Sequence, residues 1–200
     1  MRTIALLISL LGASLRARAE DIPCSEVRTL VAAAKAPNIA SLSAPKPGET
    51  TGYRLTLVTA YRSFQLQPRS QSAAAKLLGL IPADDSQQTV VATLGDSLCQ
   101  DESFAEMGVL ARIRDNLPLQ LSRAVALAPH YLRAYVQYSR TATLDPHSDY
   151  AVQMQAVCLR RHEAFLKALD DLAPELRTNI ARYVMRPDSC KAIRTPEADH

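Results

Sequence analysis

Between residues 103 and 128, apolar side chains recur every three or four positions along the chain. This spacing places them on one face of an α-helix, and a face of this kind is normally buried. Pro118 lies inside the segment and has no amide N–H to donate, so we expect either a kink or two helices there. The stripe consists of Phe104, Met107, Leu110, Ile113, Leu117, Leu121 and Val125.

The rest of the chain divides into further helices, and most of the divisions are prolines. Leu55 and Leu57 alternate as in a strand, but Leu57 and Phe64 also fit one face of a helix, which we prefer for this segment. The loop 41–52 contains two prolines and two glycines. We therefore predict an all-α, single-domain bundle of about six to eight helices over residues 20–200. The helices besides 103–128 are expected at 24–36, 53–67, 70–81, 84–99, 130–144, 148–172 and 174–186.

The first 19 residues have the pattern of a signal peptide. Arg2 precedes an apolar run from Ile4 to Leu11, and the small residues Ala17 and Ala19 match a signal peptidase site. The apolar run is too short to span a bilayer. We expect cleavage after Ala19, export to the periplasm or the medium, and no membrane anchor in the mature protein.

The charge balance of the mature chain argues against nucleic-acid binding. The sequence contains 23 Lys and Arg against 20 Asp and Glu, and a net charge of +3. Arg2, Arg16 and Arg18 lie in the leader, so the mature chain has 20 basic and 20 acidic residues. A neutral chain lacks the positive surface that binding to phosphates requires. No cofactor is implied by any motif.

Four cysteines in an exported chain indicate two disulfides. If helices 148–172 and 174–186 form an antiparallel hairpin, the legs from Cys158 to the turn and back to Cys190 are each about 22–25 Å long. We therefore predict the pair Cys158–Cys190 and, by elimination, Cys24–Cys99.

Cys158 also stands four residues before His162, one turn away on a continuous helix. This spacing permits two alternatives to a disulfide, a nucleophilic thiol beside its base or half of a metal site. Because exported cysteines are usually oxidised, we favour the disulfide, and we expect His162 to pack on an apolar helix face.

A cluster of possible metal ligands occurs in the segment "LDPHSDY" (144–150). Asp145, His147 and Asp149 could bind a metal ion together, with His130 or His162 folding back nearby. The same residues also suit a turn before a helix that Ser148 caps and whose first turn carries Asp149. The turn is the preferred interpretation, and a metal-dependent enzyme is an alternative function.

Three tyrosines form a possible binding surface. Tyr131, Tyr135 and Tyr138 lie at helical spacing, and tyrosine suits interfaces because it buries a ring while keeping a hydroxyl available. Three buried phenols would need three hydrogen-bond partners, which favours the hypothesis of a half-exposed helix that binds a partner. A seam that faces the core is the more common meaning of such a stripe.

The segment "LAPHYLRAYVQYS" (127–139) resembles the junction between tetratricopeptide repeats, through Pro129, Ala134, Tyr135 and Ser139. The resemblance implies a helix that starts after Pro129. A repeat of about 34 residues would place the next proline at position 163, where this chain has Glu163. We therefore expect a helix started by proline, without an array of repeats.

These features favour an exported helical protein that binds another protein, such as an inhibitor or an immunity-type protein. The segment "DLAPELRTNIARYVMRPDSC" (171–190) is similar to the Cys-ended helices of small periplasmic immunity proteins. Besides the metal-dependent enzyme, a helical subunit or chaperone of an envelope complex is the other alternative.

Overall fold

The computed structural model describes residues 23–42, 52–95, 99, 104–138, 149–184 and 190. Within these ranges the chain forms nine α-helices, two short 3-10 turns and no strand, which confirms the all-α class. None of the helices in this part of the chain is both long enough and apolar enough to cross a bilayer. The helices are α1 (Cys24–Ala34), α2 (Tyr53–Leu66), α3 (Gln71–Leu78), α4 (Asp85–Ala92), α5 (Phe104–Leu127), α6 (Leu132–Gln137), α7 (Asp149–Arg160), α8 (His162–Asp170) and α9 (Pro174–Val184).

The long helix α5 is the centre of the fold. It packs against α1, α2 and α3 from the first half of the chain and against α6 and α7 from the second half. The expected apolar stripe is buried at Leu110, Ile113, Leu117, Leu121 and Val125. α5 remains one helix through Pro118, so the predicted division into two helices is not found.

Two helices begin with polar caps. The side chain of Ser70 accepts a hydrogen bond from the amide of Ala73 at the start of α3. At the start of α4, Asp84 accepts from the amide of Gln87, and Gln87 accepts in return from the amide of Ala83. The amides of Ala73 and Gln87 have no acceptor inside their own helices, and the caps supply one.

The C-terminal ends of α1 and α5 are closed by arginines from distant parts of the chain. Arg62 donates from Nε to the carbonyl of Ala36, just after α1, at 2.8 Å. Arg161 donates from Nη2 to the carbonyl of Ala126, near the end of α5, also at 2.8 Å. Neither α1 nor α5 has a basic residue in its last turn. The distant guanidinium groups therefore supply both the missing donors and a positive charge at the negative helix ends.

Replacing Arg161 with leucine is expected to lower the free energy of unfolding by about 2 kcal/mol, because the partly buried bond from a charged donor to Ala126 is lost. Urea unfolding followed by circular dichroism measures the change. The matched control is Arg160→Leu at the neighbouring exposed position, which should change stability by less than about 0.5 kcal/mol. Equal effects of the two substitutions would contradict this role of Arg161.

Two expected helices have different lengths in the structure. The segment 148–172 is not one helix, because Arg161 leaves the helical conformation with φ −139° and ψ 49°. Its amide still bonds to Val157 and its carbonyl accepts from Phe165, so Arg161 both ends α7 and begins α8. The helix expected at 84–99 ends at Ala92, ahead of Gly95 with its φ of +119°.

Both predicted disulfides are present, and no cysteine is free. Cys24–Cys99 joins the start of α1 to the segment between α4 and α5, with Cα atoms 5.4 Å apart. Cys158–Cys190 joins α7 to the chain beyond α9, with Cα atoms 6.3 Å apart. The pairing of Cys158 is correct although the continuous helix assumed for it is not, because α9 still packs against α7.

Candidate functional site

An open groove of about 830 Å³ lies in the described part of the chain. Three parts of the fold form its walls: the end of α3 with the segment that follows it, one face of α6, and the turn between α8 and α9. Its volume lies within the range that is usual for ligand sites. The groove is lined by Leu78, Gly79, Ile81, Pro82, Ala83, Tyr131, Ala134, Gln137, Tyr138, Asp171, Leu172, Ala173, Glu175, Leu176 and Asn179.

The lining of the groove combines apolar, neutral polar and acidic groups. Leu78 and Leu172 are buried and belong to the hydrophobic core, so the floor rests on well-packed elements. Asp171 and Glu175 are exposed and contribute the charged groups. None of the lining residues is Lys, Arg or His. The groove can therefore hold an apolar group and present carboxylates beside it.

The three tyrosines predicted as a binding face do not form one half-exposed stripe. Tyr131 is half-buried at the groove, and Tyr138 lines it with only 5% of its surface exposed. Tyr135 is fully buried and packs against Tyr150 of α7 at a ring distance of 5.6 Å. The hypothesis of a half-exposed stripe is wrong for Tyr135 and Tyr138, because both rings pack against Tyr150 at the start of α7 and face the core. Binding through Tyr131 and Tyr138 stays a prediction.

Tyr135, Tyr138 and Tyr150 form a buried cluster behind the groove. Tyr138 and Tyr150 meet edge to face at 4.9 Å, and the Tyr150 hydroxyl donates to the backbone carbonyl of Tyr135. Burial is the main cause that raises the pKa of each of these phenols, because the charged phenolate loses its hydration. The Tyr135 hydroxyl has no hydrogen-bond partner among the described residues.

The cluster provides a matched pair of substitutions. Tyr150→Phe should cost about 1–2 kcal/mol, because it removes a buried donor from the carbonyl of Tyr135. Tyr135→Phe should be neutral or stabilising by up to about 1 kcal/mol, because the hydroxyl that it removes is buried without a partner. Urea unfolding of both variants at neutral pH gives the comparison. Equal losses of stability would show that the Tyr135 hydroxyl is satisfied in solution.

The candidate metal ligands Asp145 and His147 lie outside the described residues, and Asp149 is the first residue of α7. Among the residues that the structure describes, no three His, Cys, Asp or Glu side chains come together as metal ligands. His130 is exposed and touches the ring of Tyr131, and His162 begins α8 half-buried. The metal site therefore stays an untested prediction.

The alternative of a nucleophilic thiol at Cys158 is wrong for the oxidised protein, because Cys158 is bonded to Cys190. The break at Arg161 also separates Cys158 and His162 into two helices, so they are not one turn apart on a continuous helix. The structure thus removes both the free thiol and the geometry that this alternative required.

Sequence reasoning missed most of the groove. Pro82 and Pro174 are visible in the sequence as helix boundaries, but no local pattern shows that these two boundaries meet in space. In comparisons with protein families, with curated proteins and with solved structures, nothing matched this chain.

Proposed function

We propose that the protein is exported and acts by binding a protein partner in this groove. The observation that carries the proposal is the groove itself, an open depression whose floor belongs to the core and whose wall includes Tyr131 and Tyr138. Rigid pockets that combine aromatic rings with apolar side chains are typical positions of binding hot spots. Two disulfides hold the fold in the way that is usual for exported proteins.

Within this proposal, the finer assignment is an inhibitor or an immunity-type protein. Such a protein acts by binding another protein and blocking its activity. A subunit or chaperone of an envelope complex would use the same groove. The metal-dependent enzyme is the competing proposal, based on Asp145, His147 and Asp149. Equilibrium dialysis with Zn²⁺ tests it, because stoichiometric binding that is lost in His147→Ala would favour the enzyme.

A photo-cross-linking amino acid at Gln137 should give one partner adduct of defined mass in the organism that makes the protein. Gln137 is exposed and lines the groove. The matched control is the same amino acid at Val152, which is 49% exposed on α7 and does not line the groove. We expect the adduct from position 137 and not from position 152, as measured by mass spectrometry.

The two positions must differ for the groove to be the binding site. Identical adducts from both, or no adduct from position 137, would contradict the proposed function. Tyr131→Ala in the cross-linking protein is then expected to reduce the adduct without unfolding the protein, because Tyr131 is only half-buried.

A further inference from the structure

We propose that the groove binds a basic peptide segment, in which a Lys or Arg side chain lies beside an apolar one. The inference rests on the proposed function, because it specifies the chemistry of the protein partner. It comes from three features: the sign of the charges on the wall of the groove, the helix ends that border it, and a second depression that adjoins it.

The charged residues that line the groove are both acidic. Glu175 makes no ion pair with any residue that the structure describes, and it is exposed. Asp171 has a counter-ion in Arg133 at 3.7 Å, but both side chains are more than half exposed, and Arg133 does not line the groove. An exposed pair at this distance contributes little to stability, so a partner's cation can replace Arg133 at low cost.

Two helices end at the groove, and because the Asp170 carbonyl at the end of α8 accepts from Arg177, the end of α3 is the one that adds to the negative potential. Gly79 follows α3 and Asp171 follows α8, and both of these terminal residues line the groove. The carbonyl end of a helix carries a partial negative charge that favours cations. Lys76 and Lys167, in the last turns of the same helices, are not among the lining residues.

The opposite, positive end of α9 also lies at the groove. Its first turn carries Glu175, whose carboxylate offsets the partial positive charge of the exposed amides. The side chains that line the groove therefore carry only negative charge, in spite of this helix start. A positively charged ligand is the one that matches it.

The shape of the site favours a chain segment over a compact small molecule. A second, shallower depression of about 440 Å³ continues along α9 and shares Glu175 and Asn179 with the groove. The site therefore consists of two adjoining depressions, with apolar groups at Leu172 and Leu176 and carboxylates beside them. A peptide can place an apolar side chain against the leucines and a cationic side chain near the carboxylates. The Tyr131 ring can add a cation–π contact.

Binding of labelled peptides to the full mature protein tests the inference directly. Three short fluorescent peptides share the same leucines and carry Lys, Glu or Gln at identical intervening positions. By fluorescence anisotropy the Lys peptide should bind at least about tenfold more tightly than the Glu peptide. Raising the salt concentration to about 0.5 M should weaken the binding of the Lys peptide alone, because salt screens the attraction between exposed charges.

Neutral variants of the groove acids identify the site of binding. The double variant Asp171→Asn and Glu175→Gln should lose about tenfold in affinity for the Lys peptide, because both carboxylates that line the groove are removed. The matched control, Asp115→Asn with Glu163→Gln, removes two exposed acids elsewhere and should bind as the wild type does.

Three outcomes would overturn the inference: equal binding of the Lys and Glu peptides, equal losses in the two double variants, or complete competition by the free amine spermidine at matched concentration. The last would mean that the site takes a small amine. If the adduct from position 137 forms but the peptides show no preference, the inference fails and the proposed function stands. If positions 137 and 152 give identical adducts, the proposed function fails whatever the peptides do.

Discussion

Replacing Gly95 with alanine is expected to lower the free energy of unfolding by about 4 kcal/mol or more, by combining backbone strain with overpacking. Gly95 has a φ of +119°, a conformation that residues with a Cβ rarely adopt. A Cβ at this position would lie 2.6 Å from the amide nitrogen of Ala111 and 2.7 Å from its Cα. Both are backbone atoms of the central helix α5 and cannot rotate aside. The chain must therefore shift where α4 leads into α5.

The control is Gly108, which lies on α5 as Ala111 does. A Cβ there meets nothing within 4 Å, so Gly108→Ala should raise stability by about 0.5–1 kcal/mol through the better helix propensity of alanine. Urea unfolding of the two variants measures both changes. If Gly95→Ala costs no more than about 1 kcal/mol, the close approach to Ala111 is absent in solution.

The second large effect is a steep loss of stability in alkali. In the unfolded chain the tyrosine pKa is about 10, and burial raises the pKa of Tyr135 and Tyr150 well above that value in the folded protein. Above pH 10 the unfolded state therefore releases two protons that the folded state keeps. Each contributes about 1.4 kcal/mol per pH unit, so stability should fall by about 2.7 kcal/mol per unit from these two residues. Below pH 10 both states keep the protons, and this contribution is fully present.

Urea unfolding between pH 8 and 11, followed together with tyrosinate absorbance, measures the effect. Tyr135→Phe should leave stability at neutral pH nearly unchanged but reduce the alkaline slope by one proton, about 1.4 kcal/mol per unit. If the cluster ionises near pH 10 while the fold persists, Tyr135 and Tyr150 are not buried as the structure has them.

Local chemistry explains which parts of the fold were predictable. Pro174 fixes where α9 begins, and the spacing from Leu110 to Val125 identifies the buried face of α5. Both signals act within a few residues, where sequence patterns are reliable. The pair Cys158–Cys190 also followed from the return of α9 along α7, and Cys24–Cys99 then followed by elimination.

The missed features depend on contacts between distant segments. Arg161 interrupts a segment without Gly or Pro, and its side chain reaches the carbonyl of Ala126 in α5. Tyr135 faces inward because α7 brings Tyr150 to it, which the spacing on α6 alone cannot show. The groove likewise requires that the ends of α3 and α8 lie side by side. Periodicity predicts the face of a helix but does not identify its neighbour.

The arginines that close the ends of α1 and α5 bear on how the chain acquires its structure while it is being made. Arg62 comes 26 residues after the carbonyl of Ala36, and Arg161 comes 35 residues after the carbonyl of Ala126. Because a polypeptide is synthesised from its amino terminus, each of these carbonyls is made before the arginine that donates to it. Until Arg161 has been synthesised, water must donate the hydrogen bond to the carbonyl of Ala126 at the end of α5. Fragments that stop before Arg161 therefore contain every residue of α5 yet lack the donor that closes its end, which makes the second half of the chain a participant in completing the first.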